Sequence, residues 1–369
     1  MIQELLNMPN LWERLQSERR PIVLYGMGNG ADKILNVCAE KRIPIAGVFA
    51  SDGFVRGQSF HGMPVRRWDE IKTIYGADNV VVLMAFASSR PEVLETVGRI
   101  ADETTLLVPD VPVFGEGLFD RAFAAAHRAE LEAARSLFSD DESRRIFDLV
   151  LRHKLSGDVR FLFEAVSAPR EIAENILHPD RIRSAADLGA YTGDTIRELS
   201  SLAPNLERVY AMEPDPRNFR KLSDYASVET RFRVVPINAA AWNTETDLIF
   251  DGSGNRNASA FSNRSEILSV RPAKSRVVRA LPLDRAVGTD RVDYIKYDVE
   301  GSEREALLGS REVILRDRPT LLVSVYHRVG DFFELPLFVR ERFPVYRRFF
   351  LRRAAGIPAW DLNFYATGD

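Results

Sequence analysis

The stretch Ser184-Ala-Ala-Asp-Leu-Gly-Ala-Tyr-Thr-Gly-Asp-Thr195 holds a strand, a glycine turn and a helix start in immediate succession. A short apolar run ends in Asp187, the chain turns through Gly189 and Gly193, and Thr195-Ile-Arg-Glu-Leu-Ser-Ser-Leu202 continues as a helix. Glycine allows backbone N–H groups to approach a bound molecule, and a helix N-terminus favours an anionic group such as a carboxylate. A second strand, Arg208-Val-Tyr-Ala-Met212, ends in Glu213-Pro214 about 20 residues beyond the turn, where an acid grips a ribose diol. Turn and acid together specify an adenosine-containing ligand without saying which.

A chain of 369 residues exceeds one ordinary core, so at least two domains are expected. The net charge of −3 argues against sequence-independent nucleic-acid binding, which needs a basic surface. Arginine outnumbers lysine, which reads as codon bias or surface habit because the arginines are scattered; Arg347, Arg348, Arg352 and Arg353 are the one local cluster. The single cysteine, Cys38, excludes an internal disulfide and reads as a small buried hydrophobe. No 18-residue apolar run occurs, and Glu4, Glu13 and Arg14 do not make a secretory signal. The expectation is a cytoplasmic protein with no integral membrane segment; the sequence leaves its oligomeric state open.

Residues 1–115 read as a first α/β domain. Pro21–Tyr25, Ile43–Phe49, Asn79–Met84 and Thr105–Val108 are strand-like and alternate with helical stretches, which implies a parallel sheet covered on both faces. Gly26-x-Gly28-x-x-Ala31, with Gly30 in the turn and Asp52 downstream, satisfies the dinucleotide fingerprint in its G-x-G-x-x-A form. Its alternatives are NAD(P), a sugar nucleotide or other phosphorylated ligand, or no ligand. Phe60-His-Gly-Met-Pro-Val65 resembles the small nucleotide-binding domains that precede some bacterial sugar-modifying enzymes. Residues 116–182 then turn helical, with Asp140, Asp141 and Ser143 as helix-start residues, and read as a connector beside the second domain. His127, His153 and His178 lack metal-ligand partners at useful spacing and read as surface or packing residues.

Residues 183–369 read as the second α/β domain. Phe232–Ile237 is a third strand running into Asn238-Ala239-Ala240, and a polar excursion from Asp251 to Asn263 precedes the strand-like Ser275–Leu281. Val292–Tyr297 ends in Asp298-Val-Glu300, and Pro319–Val325 ends in Tyr326-His327. Tyr191 stands where a dinucleotide fold has its second glycine. A pyrophosphate needs that glycine for close approach, whereas S-adenosylmethionine has no phosphate and does not. Glu213, with Pro214 after it, is assigned the ribose hydroxyls, and Asn238, Ala239 and Ala240 the adenine edge. The turn Gly189, Ala190, Tyr191, Gly193, Asp194 and Thr195 is assigned the methionine end, and Asp187 or Asp298 its ammonium.

At these residues the chain resembles the FkbM family of S-adenosylmethionine-dependent methyltransferases. The resemblance rests on Asp-Leu-Gly-Ala-Tyr-Thr-Gly-Asp-Thr, Asn-Ala-Ala-Ala-Trp-Asn, Ile-Lys-Tyr-Asp-Val-Glu-Gly-Ser-Glu and Val-Tyr-His-Arg with Asp331-x-x-Glu-Leu-Pro336. Asp141–Phe147 with Ser156-Gly-Asp158 is similar to the longer, two-domain members. The resemblance implies a class I doubly wound sheet of order 3-2-1-4-5-7-6 preceded by a smaller Rossmann-like domain. It also implies O-methylation of a small or carrier-linked hydroxyl compound of sugar, glycan or natural-product type.

An alkyl alcohol is a poor nucleophile until its proton leaves, so a base is expected. His327 is the first candidate by its place at a strand end, then Glu300, then Asp298. Convergence of Asp298, Glu300 and His327 on Mg2+ is an alternative, but Asp-x-Glu is no metal signature, and no metal is assigned. Trp242, Trp360, Phe332 and Phe333 are candidates for lining an acceptor pocket. Rival functions are a non-catalytic nucleotide- or S-adenosylmethionine-binding regulator and an NAD(P)-dependent reductase acting through the first domain.

Overall fold

The computed structural model describes residues 2–8, 10–251, 260–261 and 275–368. The first sheet comprises β1 (Ile22–Tyr25), β2 (Gly47–Phe49), β3 (Ser59–Phe60), β4 (Met63–Arg66), β5 (Val81–Met84) and β6 (Thr105–Leu107). Their order is β3-β4-β2-β1-β5-β6, parallel throughout except that β3 pairs antiparallel with β4. The central strands are continuous apolar runs because both faces are covered. Ile22 and Leu24 pack with Ile34 and Cys38 of the helix Asn29–Glu40, while Val23 and Tyr25 point to the other face. Residues Phe60 to Val65, read above only by resemblance, form the β3–β4 hairpin that extends this sheet.

The helices Arg121–Ala126, Arg128–Leu137 and Asp141–Ser156 lie between this sheet and the next. One continuous core runs from Val23 and Tyr25 through Phe119, Leu131 and Phe147 to Ile295 and Phe332. Phe147 stacks on Phe332 with ring centroids 4.3 Å apart. Helices that share a core with both sheets hold them in fixed relation. Asp140 caps its helix by accepting from Ser143 N at 2.8 Å, as its residue type suggests.

Of the arginine cluster, Arg352 and Arg353 are buried. The Arg352 guanidinium donates to Glu171 Oε2 (2.7 Å), Asp140 Oδ2 (2.6 Å) and Ser143 Oγ (2.7 Å), and Arg353 donates to Leu162 O (2.7 Å). A buried cation is costly unless paired and hydrogen-bonded; Arg352 is paired with Asp140 and Glu171, Arg353 donates to backbone carbonyls, and both fasten the helical region to the second sheet.

The second sheet comprises β7 (Ser184–Leu188), β8 (Arg208–Met212) and β9 (Arg233–Ile237), and, after three intervening strands and β13, β14 (Tyr294–Tyr297), β15 (Thr320–Ser324), β16 (Arg348–Arg353) and β17 (Leu362–Thr367). Its order is β9-β8-β7-β14-β15-β17-β16; numbered within this sheet, that is 3-2-1-4-5-7-6. β17 is antiparallel to both its neighbours and the rest are parallel. A reversal of connection direction falls between β7 and β14, where open α/β sheets place ligands. The intervening strands, β10 (Ala240–Ala241), β11 (Thr246–Asp251) and β12 (Ala260–Phe261), form with β13 (Ser275–Leu281) a separate sheet of order β10-β13-β11-β12. Most of the polar excursion expected from Asp251 to Asn263 lies outside the described residues.

Candidate active site

The exit of β7 passes directly beneath the exit of β14. A Cβ built on Gly189 would overlap the carbonyl oxygen of Asp298, and the residue has φ of +88°. Only glycine fits both requirements. Gly193, with φ of +83°, turns against the Tyr225 ring, which a Cβ would meet at 2.6 Å. Between them Gly189 and Ala190 donate their N–H groups to Met212 O at 3.0 and 2.9 Å, which folds the turn over the end of β8.

That fold brings Glu213 under the turn. Its Oε2 accepts from Tyr191 N at 3.0 Å and its Oε1 from Asp215 N at 2.7 Å. Tyr191 reaches this position through a left-handed backbone (φ +47°), an uncommon conformation for a residue with a side chain. Burial pushes the Glu213 carboxyl up to about 7, against the pull of the two backbone donors. The carboxylate therefore sits in a half-dry place with further acceptor capacity facing a cavity.

The cavity has a volume of about 480 Å³ and opens at the C-terminal ends of β7, β8, β14 and β15. Gly189, Tyr191, Asp194, Thr195, Glu213 and Pro214 line one part of it, with Ala240 and Ala241 alongside. Asp298, Glu300, Tyr326 and Trp360 line another. Asp187 lies beneath the lining: its Oδ2 accepts from Thr195 Oγ1 at 2.5 Å, and its Oδ1 is 3.4 Å from Lys296 Nζ. Ala190, Gly193 and Ala239 shape the turn and the β9 exit without lining the cavity. Asn238 does not line it either. Its side-chain nitrogen donates to Glu213 O (2.8 Å) and Pro214 O (3.3 Å), so it fastens the β8 exit instead of facing a ligand.

Lys296 is the site residue that sequence reading passed over. It is buried at the centre of β14, 3.4 Å from Asp187 and 3.2 Å from Asp298. Burial opposes its charge, but the two carboxylates outweigh that and raise it above the usual lysine range. The available signal was a lysine set between Ile295 and Tyr297 in a strand otherwise buried. Asp298 is pushed up by burial but held down at about 2 by Lys296 and His327, so it stays ionised. Tyr326 donates its hydroxyl to Asp298 Oδ1 at 3.2 Å.

His327 is brought to this cluster but is fully buried and does not line the cavity. Its Nδ1 lies 2.8 Å from Glu303 Oε1, and its Nε2 lies 3.4 Å from Asp298 Oδ1 and 3.6 Å from Glu300 Oε2. Burial works against the imidazolium, yet Glu303 and Glu300 raise His327 to about 10. Full burial outside the cavity lining, among carboxylates that favour the protonated ring, suits His327 to a counter-charge better than to the base expected from the sequence. Glu300 has the opposite properties. It lines the cavity from a left-handed residue (φ +53°), and burial pushes its carboxyl up to about 7.

Among the described residues, Glu303, His327 and Asp331 form a buried group with metal-ligand composition. Both carboxylates are already engaged: Glu303 Oε1 accepts from Val299 N (3.1 Å) and Gly301 N (3.4 Å), and Asp331 Oδ2 from Arg328 N (2.8 Å). Of the four aromatic candidates, Trp360 lines the cavity, its ring 6.3 Å from that of Tyr326. Phe332 and Phe333 are fully buried in the core, and Trp242 packs against the small second-domain sheet.

The glycine turn of the first sheet lies away from this cavity. Gly26 packs on the Phe86 ring, which a Cβ would meet at 2.5 Å, and Gly30 on Ala85 O at 2.6 Å. Gly28 has φ of +98° with nothing near its Cβ position, and Asp52 is exposed at the start of a short 3-10 turn.

Residues 187–354 match the family model described as the methyltransferase FkbM domain. The crystal structure of a methyltransferase FkbM from Methylobacillus flagellatus KT is similar over 98% of this chain and 95% of its own, with a TM-score of 0.67 at 19% identity. That likeness extends through both sheets and the helices between them. An Aeropyrum pernix fibrillarin with natively bound S-adenosyl-L-methionine (14% identity, 53% of this chain, 70% of that chain) gives a TM-score of 0.32. A putative caffeoyl-CoA O-methyltransferase from Staphylococcus aureus (10% identity, 67% of this chain, 98% of that chain) gives 0.33. No curated protein matches the sequence. The matched residues, 187–354, carry most of the second sheet and its crevice, so the part of the chain that holds the candidate site is similar to the methyltransferase FkbM domain.

Proposed function

We propose that the protein is an S-adenosylmethionine-dependent O-methyltransferase acting on a hydroxyl of a sugar, glycan or natural-product type acceptor. The observation that carries this reading is the buried Glu213 carboxylate beneath the Gly189–Thr195 turn, on the wall of a cavity whose far side holds Glu300. The donor set fits the nucleoside: an acid with spare acceptor capacity for two vicinal hydroxyls, and ionised Asp298 beside the crevice for a cationic group. The cavity volume lies in the range of small-molecule sites. Bound there, S-adenosylmethionine supplies an electrophilic methyl group on a sulfonium.

The chain's own residues do the rest. Glu213 holds the ribose, and the Gly189–Thr195 turn, closed over β8, fixes the amino-acid end. Asp298, kept ionised by Lys296 and His327, offers a fixed negative charge. Glu300 accepts the proton of the acceptor hydroxyl as its oxygen becomes methylated. A carboxyl near 7 suits that role, since general bases work best when their pKa lies near the working pH. Tyr326 and Trp360 present ring faces against which an acceptor can be aligned, and alignment alone is worth several kcal/mol.

The test is calorimetry with S-adenosylhomocysteine. Wild-type protein binds it and Glu213→Ala weakens it at least about tenfold, while NADH gives no heat. Unchanged affinity in Glu213→Ala removes the assignment. A radiolabelled methyl donor offered with panels of free and carrier-linked polyols then defines the acceptor.

A further inference from the structure

The first α/β unit reaches the Glu300 turn by a continuous set of contacts. Lys33, on the helix Asn29–Glu40, donates from Nζ to Pro112 O (2.8 Å) and Val113 O (2.6 Å). The next residue, Phe114, donates its backbone N–H to His327 O at 2.9 Å. Its ring lies against Gly301, where an added Cβ would meet Phe114 Cδ1 at 2.8 Å. The Arg328 guanidinium sits 4.4 Å from the same ring's centroid, and Arg328 Nε donates to Gly301 O at 2.7 Å. Glu300 and Gly301 both have left-handed backbones, at φ of +53° and +91°. A non-glycine residue holds that conformation only where its surroundings over-determine it. Phe114 and Arg328 supply that constraint from opposite elements.

The same unit also walls the cavity. Val113 and Ser89 line it, and Ser88 is bridged to Ile357 by two backbone hydrogen bonds of 2.8 and 3.0 Å, next to the Ala354–Asp361 rim.

We propose that Phe114 is a positioning residue for Glu300, and that the first α/β unit serves the reaction by clamping the Glu300-Gly301 turn and walling the acceptor side of the cavity. This rests on the reading of Glu300 as the base. It gives the unit a task that needs no ligand at the Gly26–Gly30 turn. The clamp holds the half-buried Glu300 carboxyl at the cavity wall among Asp298 and Glu303 on its own turn, Lys296 from β14, Tyr326 and His327 after β15, and Lys33 from the first unit. Removing the ring admits water to the turn and relaxes its backbone.

The experiment is a carbon-13 NMR titration of the full chain labelled at the glutamate carboxyl, with the Glu300 resonance assigned by its absence in Glu300→Gln. The midpoint near 7 in wild type is expected to fall by about one pH unit or more in Phe114→Ala, and to stay near the wild-type value in Phe114→Leu, which keeps the apolar cover. S-adenosylhomocysteine affinity stays within about twofold in both. If Phe114→Ala does not fold, Lys33→Met decides by amide exchange: faster exchange confined to residues 299–301, with none at 185–189, is the expected result. An unshifted midpoint in folded Phe114→Ala, or exchange that rises equally at both segments in Lys33→Met, overturns the clamp. Failure of wild-type protein to bind S-adenosylhomocysteine strikes the methyltransferase reading instead, a separate outcome from either of these.

Discussion

If Glu213 grips the ribose as proposed, nucleoside binding should depend on pH. In the free protein its two oxygens accept from Tyr191 N and Asp215 N, and burial holds the carboxyl near 7 instead of its ordinary 4.5. To accept hydrogen bonds from both ribose hydroxyls it must be ionised, so any proton it carries has to leave first. With a midpoint near 7, about one molecule in ten is ionised at pH 6 and about nine in ten at pH 8. Affinity for S-adenosylhomocysteine should therefore weaken about tenfold from pH 8 to pH 6, a difference of about 1.4 kcal/mol. At pH 7 binding should release about half a proton, which calorimetry in buffers of different ionisation enthalpy reads directly. S-adenosylhomocysteine is the right probe because its thioether carries no charge to respond to Glu300. In Glu213→Gln the slope should vanish and the affinity should sit below the wild-type value at pH 8. A flat wild-type profile, or a slope that survives in Glu213→Gln, refutes the role given to this carboxylate.

Three other outcomes follow from the geometry. Glu300→Gln should lower turnover about 10²–10⁴-fold with cofactor affinity preserved, and should abolish the rise in rate through pH 7 that the wild type shows. Gly189→Ala should cost about 3–5 kcal/mol and abolish cofactor binding, because its Cβ overlaps Asp298 O in a left-handed backbone; a thermal melt alongside calorimetry checks both. His327→Gln should destabilise by about 3–5 kcal/mol near pH 6.5, since it leaves Glu303, Glu300 and Asp298 without their central cation. His327 has a folded value raised from 6.5 to about 10, so its contribution is complete below 6.5 and is lost as pH rises through about 10. Denaturant melts should show the gap between wild type and variant closing over that window.

The sequence carried the scaffold of the site more fully than its chemistry. Gly189, Gly193, Glu213 and Asp298 were legible because turns and strand ends put strong local constraints on residue type. For Asn238, proximity to a strand end does not tell which way an amide points; here its side chain turns back onto Glu213 O, which leaves the backbone beside it to meet a ligand. His327 and Glu300, both placed after strand ends, differ in surroundings for a tertiary reason. Which of two nearby titratable groups faces the cavity, and which is ringed by carboxylates, depends on how Asp298, Glu300 and Glu303 after β14 pack against His327 after β15. Lys296 was hidden because a lysine in an apolar strand has no local partner in sequence, and Asp187 lies 109 residues away. The burial of Arg352 was not legible for the same reason: Asp140 and Glu171, which permit it, sit far upstream.

The most direct test of the central claim is a crystal structure grown with S-adenosylhomocysteine. The account predicts the nucleoside in the crevice at the ends of β7, β8 and β14, both ribose hydroxyls on the Glu213 carboxylate and the sulfur turned toward Glu300. A nucleoside seated instead on the Gly26–Gly30 turn, or a crevice that stays empty at saturating ligand, would contradict it.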